Sequence, residues 1–297
     1  MYGFHVTRDW SGESLGAAVE AAAAGTGQLA PGRQLAAAQV FIAGPRQRKM
    51  LLDAAGEQAL ARAASERWVC AHGTYMDAPW ADTPGARHAR KFIRQELAVC
   101  DRTGLRGLVI HLGKTPPARV AEVLPELIGR PGARAGRARL YLELPAVKPA
   151  NSHYESPEKV AALFRAVRAS ADPDLEAVGL CVDTAHIWAS GADIASAPAA
   201  RRWLDGLERA GVPPEAIMFH LNDNRHPQGS GRDEHNVLGR GAIWSPPGAD
   251  GLAPFAEYLA RHEIPTILER KKRTTHDALK ADLMLDFAAL DDALSGQ

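Results

Sequence analysis

Cysteine is scarce and unpatterned. Cys70, Cys100 and Cys181 are odd in number, widely spaced and never form a Cys-x-x-Cys pair. That argues against a disulfide scaffold and against a thiolate zinc site, and leaves three small side chains for the core. No uninterrupted apolar run reaches the roughly 18–20 residues of a bilayer span. The N-terminus, MYGFHVTRDW, lacks a basic start followed by an apolar stretch and a small-residue cleavage site. The expected setting is intracellular, cytoplasmic by default with nucleus or virion open, and without a membrane partner. Net charge is missing too, since 35 Lys+Arg balance 35 Asp+Glu. No global field draws nucleic acid, so any phosphate partner must be held by local patches.

What is present is ordinary for a globular chain. The 297 residues are 46% hydrophobic and 24% charged, which favours neither disorder nor a membrane class. Length alone allows one large core or two domains. No linker, low-complexity tract or internal repeat interrupts the chain, and the Gly/Arg-rich stretch 129–137 reads as a surface connection. One domain over residues 1–297 is expected.

The stretch GLCVDTAHIWASGAD, residues 179–193, carries the densest signal. It begins as a buried strand and delivers Asp183 and His186 where that strand stops. The same arrangement recurs. Strands are expected over 2–6, 37–43, 68–72, 107–112, 139–144, 179–183, 216–223 and 264–269. Between them lie helical stretches over 15–24 (ended by Gly25), 51–66, 83–100, 116–128, 159–170, 199–210 and 252–262, and one over 276–294 closes the chain. Eight strands alternating with helices predict an α/β fold, a TIM (β/α)8 barrel, with its chemistry at the carboxyl ends of the strands.

At or near those ends stand His72, His111, Glu143, Asp183, His220 and Glu269. His186 follows Asp183, and Asp233 and His235 lie in the long polar loop 224–244. Nine imidazole and carboxylate groups exceed the need of one tetrahedral ion, and without cysteine ligands they suggest catalysis more than structural zinc. Two or three ions sharing carboxylates would activate water and clamp a phosphoryl oxygen, the chemistry of phosphodiester hydrolysis. A single histidine is ordinarily a core or surface residue. Five of the chain's 11 histidines falling in this set weakens that reading. His5 fits equally a core residue or a support for a ligand. His88, His153, His226, His262 and His276 read as surface or loop residues, and Trp188 as packing.

At these positions the chain resembles the endonuclease IV family, the second class of apurinic/apyrimidinic endonucleases. The likeness runs nearly end to end: His72 in HGTY, His111 in IHLG, Glu143 in LEL, Asp183 and His186 in DTAH, His220 in HLND, Asp233 and His235 in DEH, Glu269 in ILE. The resemblance implies a three-zinc barrel, with Mn2+ an option at some sites. It would act as a monomer on double-stranded DNA, cutting 5′ to an abasic site and leaving a 3′-hydroxyl. It implies that His72, His111 and Glu143 hold a first zinc and that Glu143 bridges to a second with Asp183, His220 and Glu269. His186, Asp233 and His235 would hold a third. The implied reaction is attack of a metal-bridging hydroxide on phosphorus, oriented by Glu143 and Glu269 as catalytic residues. It further places Arg46, Tyr75 and Met76 against the DNA at the lesion. The basic runs 46–49 and 270–273, with Arg270 and Lys271, read as phosphate contacts or as a solvated charged face.

The chain departs from the family pattern around these motifs. Leu112 replaces a proline, and Leu144 and Pro145 replace Asn and Thr after the bridging glutamate. The loop 146–153 lacks a Gly-rich run. Arg270 and Lys271 replace Thr and Pro, and Arg240 stands where an acidic residue is common. Sugar isomerases of the same barrel superfamily are the nearest alternative, but they have no use for the DEH loop or for His72 paired with His111. A damaged-DNA-binding protein that does not cut would have little use for Glu269. A structural zinc barrel without a nucleic-acid partner is the third alternative.

Overall fold

In the computed structural model, which describes residues 1–75, 78–128, 138–169, 178–270 and 275–296, the short apolar runs become parallel strands. These are β1 (Tyr2–His5), β2 (Ala37–Val40), β3 (Trp68–His72), β4 (Gly107–His111), β5 (Arg139–Glu143), β6 (Val178–Asp183), β7 (Ile217–His220) and β10 (Thr266–Leu268). Two further strands, β8 (Asp223–Asn224) and β9 (His235–Asn236), form a separate antiparallel pair. Hydrogen bonding in the order β1-β10-β7-β6-β5-β4-β3-β2 closes a barrel.

Around it pack α1 (Leu15–Leu29), α2 (Ala54–Glu66), α3 (Pro84–Thr103), α4 (Pro117–Ile128), α5 (Pro157–Ala169), α7 (Ala197–Arg209), α8 (Leu252–Arg261) and α9 (His276–Ser295). A short α6 (Thr184–Ala189) follows β6 directly. The N-termini are set by side-chain oxygens on otherwise unpaired N–H groups: Ser14 on Ala17, Asp53 on Gly56, Thr83 on Ala86, Ser196 on Ala199 and Thr275 on Ala278. Among the described residues no helix is long and apolar enough to cross a membrane.

The sequence reading ends the first helix at Gly25, yet α1 continues to Leu29. Thr26 and Leu29 are buried, the Thr26 hydroxyl donates to the Ala22 carbonyl at 2.7 Å, and a Cβ on Gly25 would stand 3.2 Å from the Trp10 ring. Packing outweighs the conformational cost of glycine there. The strand expected over 216–223 stops at His220, and Asp223 joins the short ribbon instead. The connection 129–137 lies outside the described residues.

The barrel interior repeats at a period of two. Ala37, Cys70, Val109, Tyr141, Cys181, Met218 and Ile267, one from each strand but β1, form a buried apolar cluster. Gly107 and Gly179 make room for the Tyr141 ring, because a Cβ on them would come within 2.5 and 2.7 Å of it. Two residues further along each strand, on the same inward face, come Gln39, His72, His111, Glu143, Asp183, His220 and Glu269, with His5 in the matching place after Gly3 on β1. A polar layer therefore sits directly on an apolar one.

Candidate metal centre

The polar layer gathers eight of the nine candidate ligands within reach of a neighbour in groups a metal ion could share. Ligand atoms of His72, His111 and Glu143 lie within 4.8 Å of one another, as do those of Glu143, Asp183, His220 and Glu269, and those of Asp183, His186 and His235. The ninth, Asp233, is exposed at the rim, with Oδ1 3.0 Å from His235 Nε2 and Oδ2 3.4 Å from His186 Nε2. Glu143 is central. Its Oε2 lies 3.2 Å from His72 Nε2 and 2.8 Å from His111 Nε2, and its Oε1 3.1 Å from His220 Nδ1. His111 stands at the mouth, whereas Glu143, Asp183 and His220 are fully buried.

The spacing of Asp183 and His186 has a local cause. Asp183 is the N-cap of α6, and its Oδ1 accepts the His186 backbone N–H at 3.0 Å. Its other oxygen is thereby turned inward, 3.3 Å from His235 Nε2. His235 reaches the site because β9 pairs with β8. Asp223, the last residue of HLND, holds that loop from behind, accepting the N–H groups of Asn224, Gly241 and Ile243 at 2.8–3.0 Å.

In three of the imidazoles, outer hydrogen bonds fix which nitrogen faces inward. His72 Nδ1–H donates to the Gly73 carbonyl and His186 Nδ1–H to the Leu144 carbonyl, both at 2.8 Å. Gln39 Nε2 must donate to Glu269 Oε1 at 2.6 Å, so its Oε1 accepts from His220 Nε2 at 2.8 Å. As neutral imidazoles these rings would set lone pairs on their inner nitrogens against carboxylate oxygens, an arrangement that calls for positive charge between them. The buried Nε2 of His235 likewise has no hydrogen-bond partner although two carboxylates stand beside it. This donor set fits divalent cations.

The same demand appears in the proton affinities of the protein alone. Burial works against charge throughout, yet the facing carboxylates raise His186 well above the ordinary imidazole value, His220 to about 9 and His235 to about 10. Reciprocally, the buried Glu143 and Asp183, the part-buried Glu269, and Asp233 at the rim are held below the usual carboxylate range by the imidazoles. His5 differs: burial pushes it down to about 4, and its Nδ1 accepts from Gln39 Nε2 at 3.1 Å. It therefore supports Gln39 as a neutral ring.

A cavity of about 340 Å³ opens over these groups and is lined also by Arg46 and Tyr75. Their loops are tied together, since the Pro45 carbonyl accepts the Tyr75 N–H at 2.8 Å and the Thr74 hydroxyl at 3.0 Å. Tyr75 is 51% exposed and stands edge-on to His72, ring centres 5.2 Å apart. Met76 and Lys271 lie outside the described residues. Arg270 departs from the reading as a phosphate contact. Its side chain is 3% exposed and paired with Asp286 of α9, so the guanidinium points into the protein. Gln39 was not among the residues singled out from the sequence, although it occupies the same inward position on β2 that the ligands occupy on their strands. The departure at Leu144 is absorbed because its carbonyl, not its side chain, meets His186.

Residues 32–280 match the family model described as xylose isomerase-like TIM barrel. A protein of African swine fever virus named probable AP endonuclease is 40% identical over 241 residues, 78% of each chain. The crystal structure of AsfvAP:AG superposes with a TM-score of 0.89 at 36% identity, covering 99% of both chains. Endonuclease IV from Thermus thermophilus does so with a TM-score of 0.75 at 26% identity, covering 98% of this chain and 99% of that one.

Proposed function

Because the chain belongs to the endonuclease IV family of xylose isomerase-like TIM barrels, we propose that it is a DNA repair endonuclease that cuts 5′ to an abasic site and leaves a 3′-hydroxyl. The observation that carries the reading is the convergence of nine imidazole and carboxylate groups at one mouth, with inward imidazole nitrogens facing carboxylates and one buried imidazole nitrogen unbonded. Three zinc ions would suit this set, with Mn2+ an option at some positions. His72, His111 and Glu143 would hold the first, Glu143, Asp183, His220 and Glu269 the second, and His186, Asp233 and His235 the third. When bound, such ions supply an activated water and neutralise charge on phosphoryl oxygens.

The protein's own groups do the positioning. Glu269 has one oxygen taken by Gln39 and the other, Oε2, 3.3 Å from His220 Nδ1 in the cavity, so Oε2 is the oxygen left to hold the second ion and to orient the attacking water beside it. Glu143, buried among His72, His111 and His220, keeps its charge and fixes the spacing of the cluster. Tyr75 and Arg46 at the rim suit an unstacked, abasic segment, Tyr75 by stacking and Arg46 by contact with phosphate. Duplex DNA is the partner and the monomer is the acting unit.

The test is single-turnover cleavage of a duplex oligonucleotide carrying one abasic analogue, with and without prolonged chelation, beside the undamaged duplex. Cleavage only 5′ to the lesion and only with metal is expected. Intact strands under every metal condition would overturn the nuclease, and conversion of ketoses instead would put the sugar isomerase reading in its place.

A further inference from the structure

Behind the candidate ligands lies Asn222, fully buried. Its Nδ2–H donates to Asp183 Oδ2 at 2.7 Å, and its Oδ1 accepts from the Glu269 backbone N–H at 3.0 Å and from Arg270 Nη1 at 2.9 Å. A reversed carboxamide would set its NH2 against two donors, so the orientation is fixed. Arg270 is held in turn by Asp286 of α9, Nε to Oδ2 at 2.6 Å and Nη2 to Oδ1 at 2.7 Å, the two side chains 3% and 0% exposed. Its Nη1 also donates to the Glu269 carbonyl at 2.6 Å. Asp286 Oδ1 accepts a second donor, the Leu238 N–H at 2.9 Å, just beyond the β9 strand that carries His235.

We infer that the Arg270–Asp286 ion pair is the positioning device of the metal centre: through Asn222 and Leu238 it aligns Asp183, Glu269 and the His235 strand so that the ions are retained. A buried ion pair contributes little to stability beyond what well-packed apolar side chains of similar size would give. What it adds is geometry, because the guanidinium is a planar fork whose two ends are set by one carboxylate while the third nitrogen is aimed at Asn222. One carboxylate on a peripheral helix is thereby connected to three candidate ligands on three different segments. Ligand-supporting groups of this kind govern metal affinity.

The inference rests on the metal reading above, and retention of Zn2+ tests it without DNA. Wild type, Arg270→Lys, and the double variant Arg270→Met/Asp286→Leu are loaded with Zn2+. Metal content, the rate of transfer to a colorimetric chelator, and thermal unfolding are then followed. Lysine keeps the charge opposite Asp286 but loses the fork and the bond to Asn222. The double variant removes both charges, so no unpaired charge is left buried, and the unfolding temperature of the metal-free protein should fall only modestly, through the acceptor lost to the Leu238 N–H. Both variants should release Zn2+ faster, the double by roughly 10–100-fold. A pair that merely anchored α9 would move the unfolding temperature and leave release alone, and wild-type release in both variants overturns the inference by itself. A wild-type protein that takes up no Zn2+ overturns the metal reading and the inference with it.

Discussion

Gln39 lies between Glu269 and His220 and gives each a different end of its carboxamide: Nε2–H to Glu269 Oε1 at 2.6 Å, Oε1 to His220 Nε2–H at 2.8 Å. One uncharged side chain from β2 thus sets the free oxygen of one group and the inward nitrogen of the other. Replacement by Met leaves the His220 N–H buried without a partner, which costs about 1–3 kcal/mol. The expected result for Gln39→Met is a lower unfolding temperature together with weaker metal retention. Gln39→Glu sets a carboxyl against Glu269, and two such groups cannot both ionise easily. The acid limb of its pH–rate profile should move to higher pH, and an unmoved limb would show that Gln39 does not govern Glu269.

Glu269→Gln retains the shape and the neutral hydrogen bonding of the site but removes the charge proposed to hold the second ion and orient the attacking water. Single-turnover cleavage should fall by about 10²–10⁴-fold while the far-ultraviolet circular dichroism and unfolding temperature stay near wild type. Cleavage at the wild-type rate would remove Glu269 from the mechanism.

The metal-free protein should respond to pH in a way the loaded one does not. His220 and His235 are raised to about 9 and about 10, above the unfolded imidazole value of about 6.5. Their protonation contributes stability that is fully present below about pH 6.5 and is lost as pH rises through the folded values. Cations on the same nitrogens displace those protons, so the loaded protein loses nothing over that range. Unfolding temperatures of chelated and Zn2+-loaded protein should diverge between about pH 7 and 10, and parallel curves would count against ions at these two histidines.

Arg46 is exposed at the rim of the cavity. As a phosphate contact it contributes about one unit to the slope of log affinity against log salt, and Arg46→Ala should lower that slope by about that amount for damaged and undamaged duplexes alike. An unchanged slope would make Arg46 part of a solvated face.

The period of two explains how much of this was legible beforehand. The runs ending in His72, His111, Glu143, Asp183, His220 and Glu269 each place a hydrophobic residue two positions before the ligand, so strand and site could be read from the same few residues. Gln39 follows Ala37 by the same step, but an amide carries no metal signature and only its partners reveal its use. The helix α6 was hidden for a related reason. It is six residues long, too short for a periodic pattern, and its cap is Asp183, whose ligand-type side chain drew the other interpretation. Arg270 misled because a run of basic residues looks solvated until its partner is known, and Asp286 is sixteen positions away on α9.

The cluster of Cys70, Val109, Tyr141, Cys181, Met218 and Ile267 closes the barrel beneath the ligands. Among the described residues it is a buried apolar floor to the site. Ions and DNA bound as proposed would share one mouth, lined by Arg46, Tyr75 and Asp233. Traffic there would be sequential: under the proposed function a seated duplex covers the ions, so a chelator should strip them more slowly when substrate is in excess.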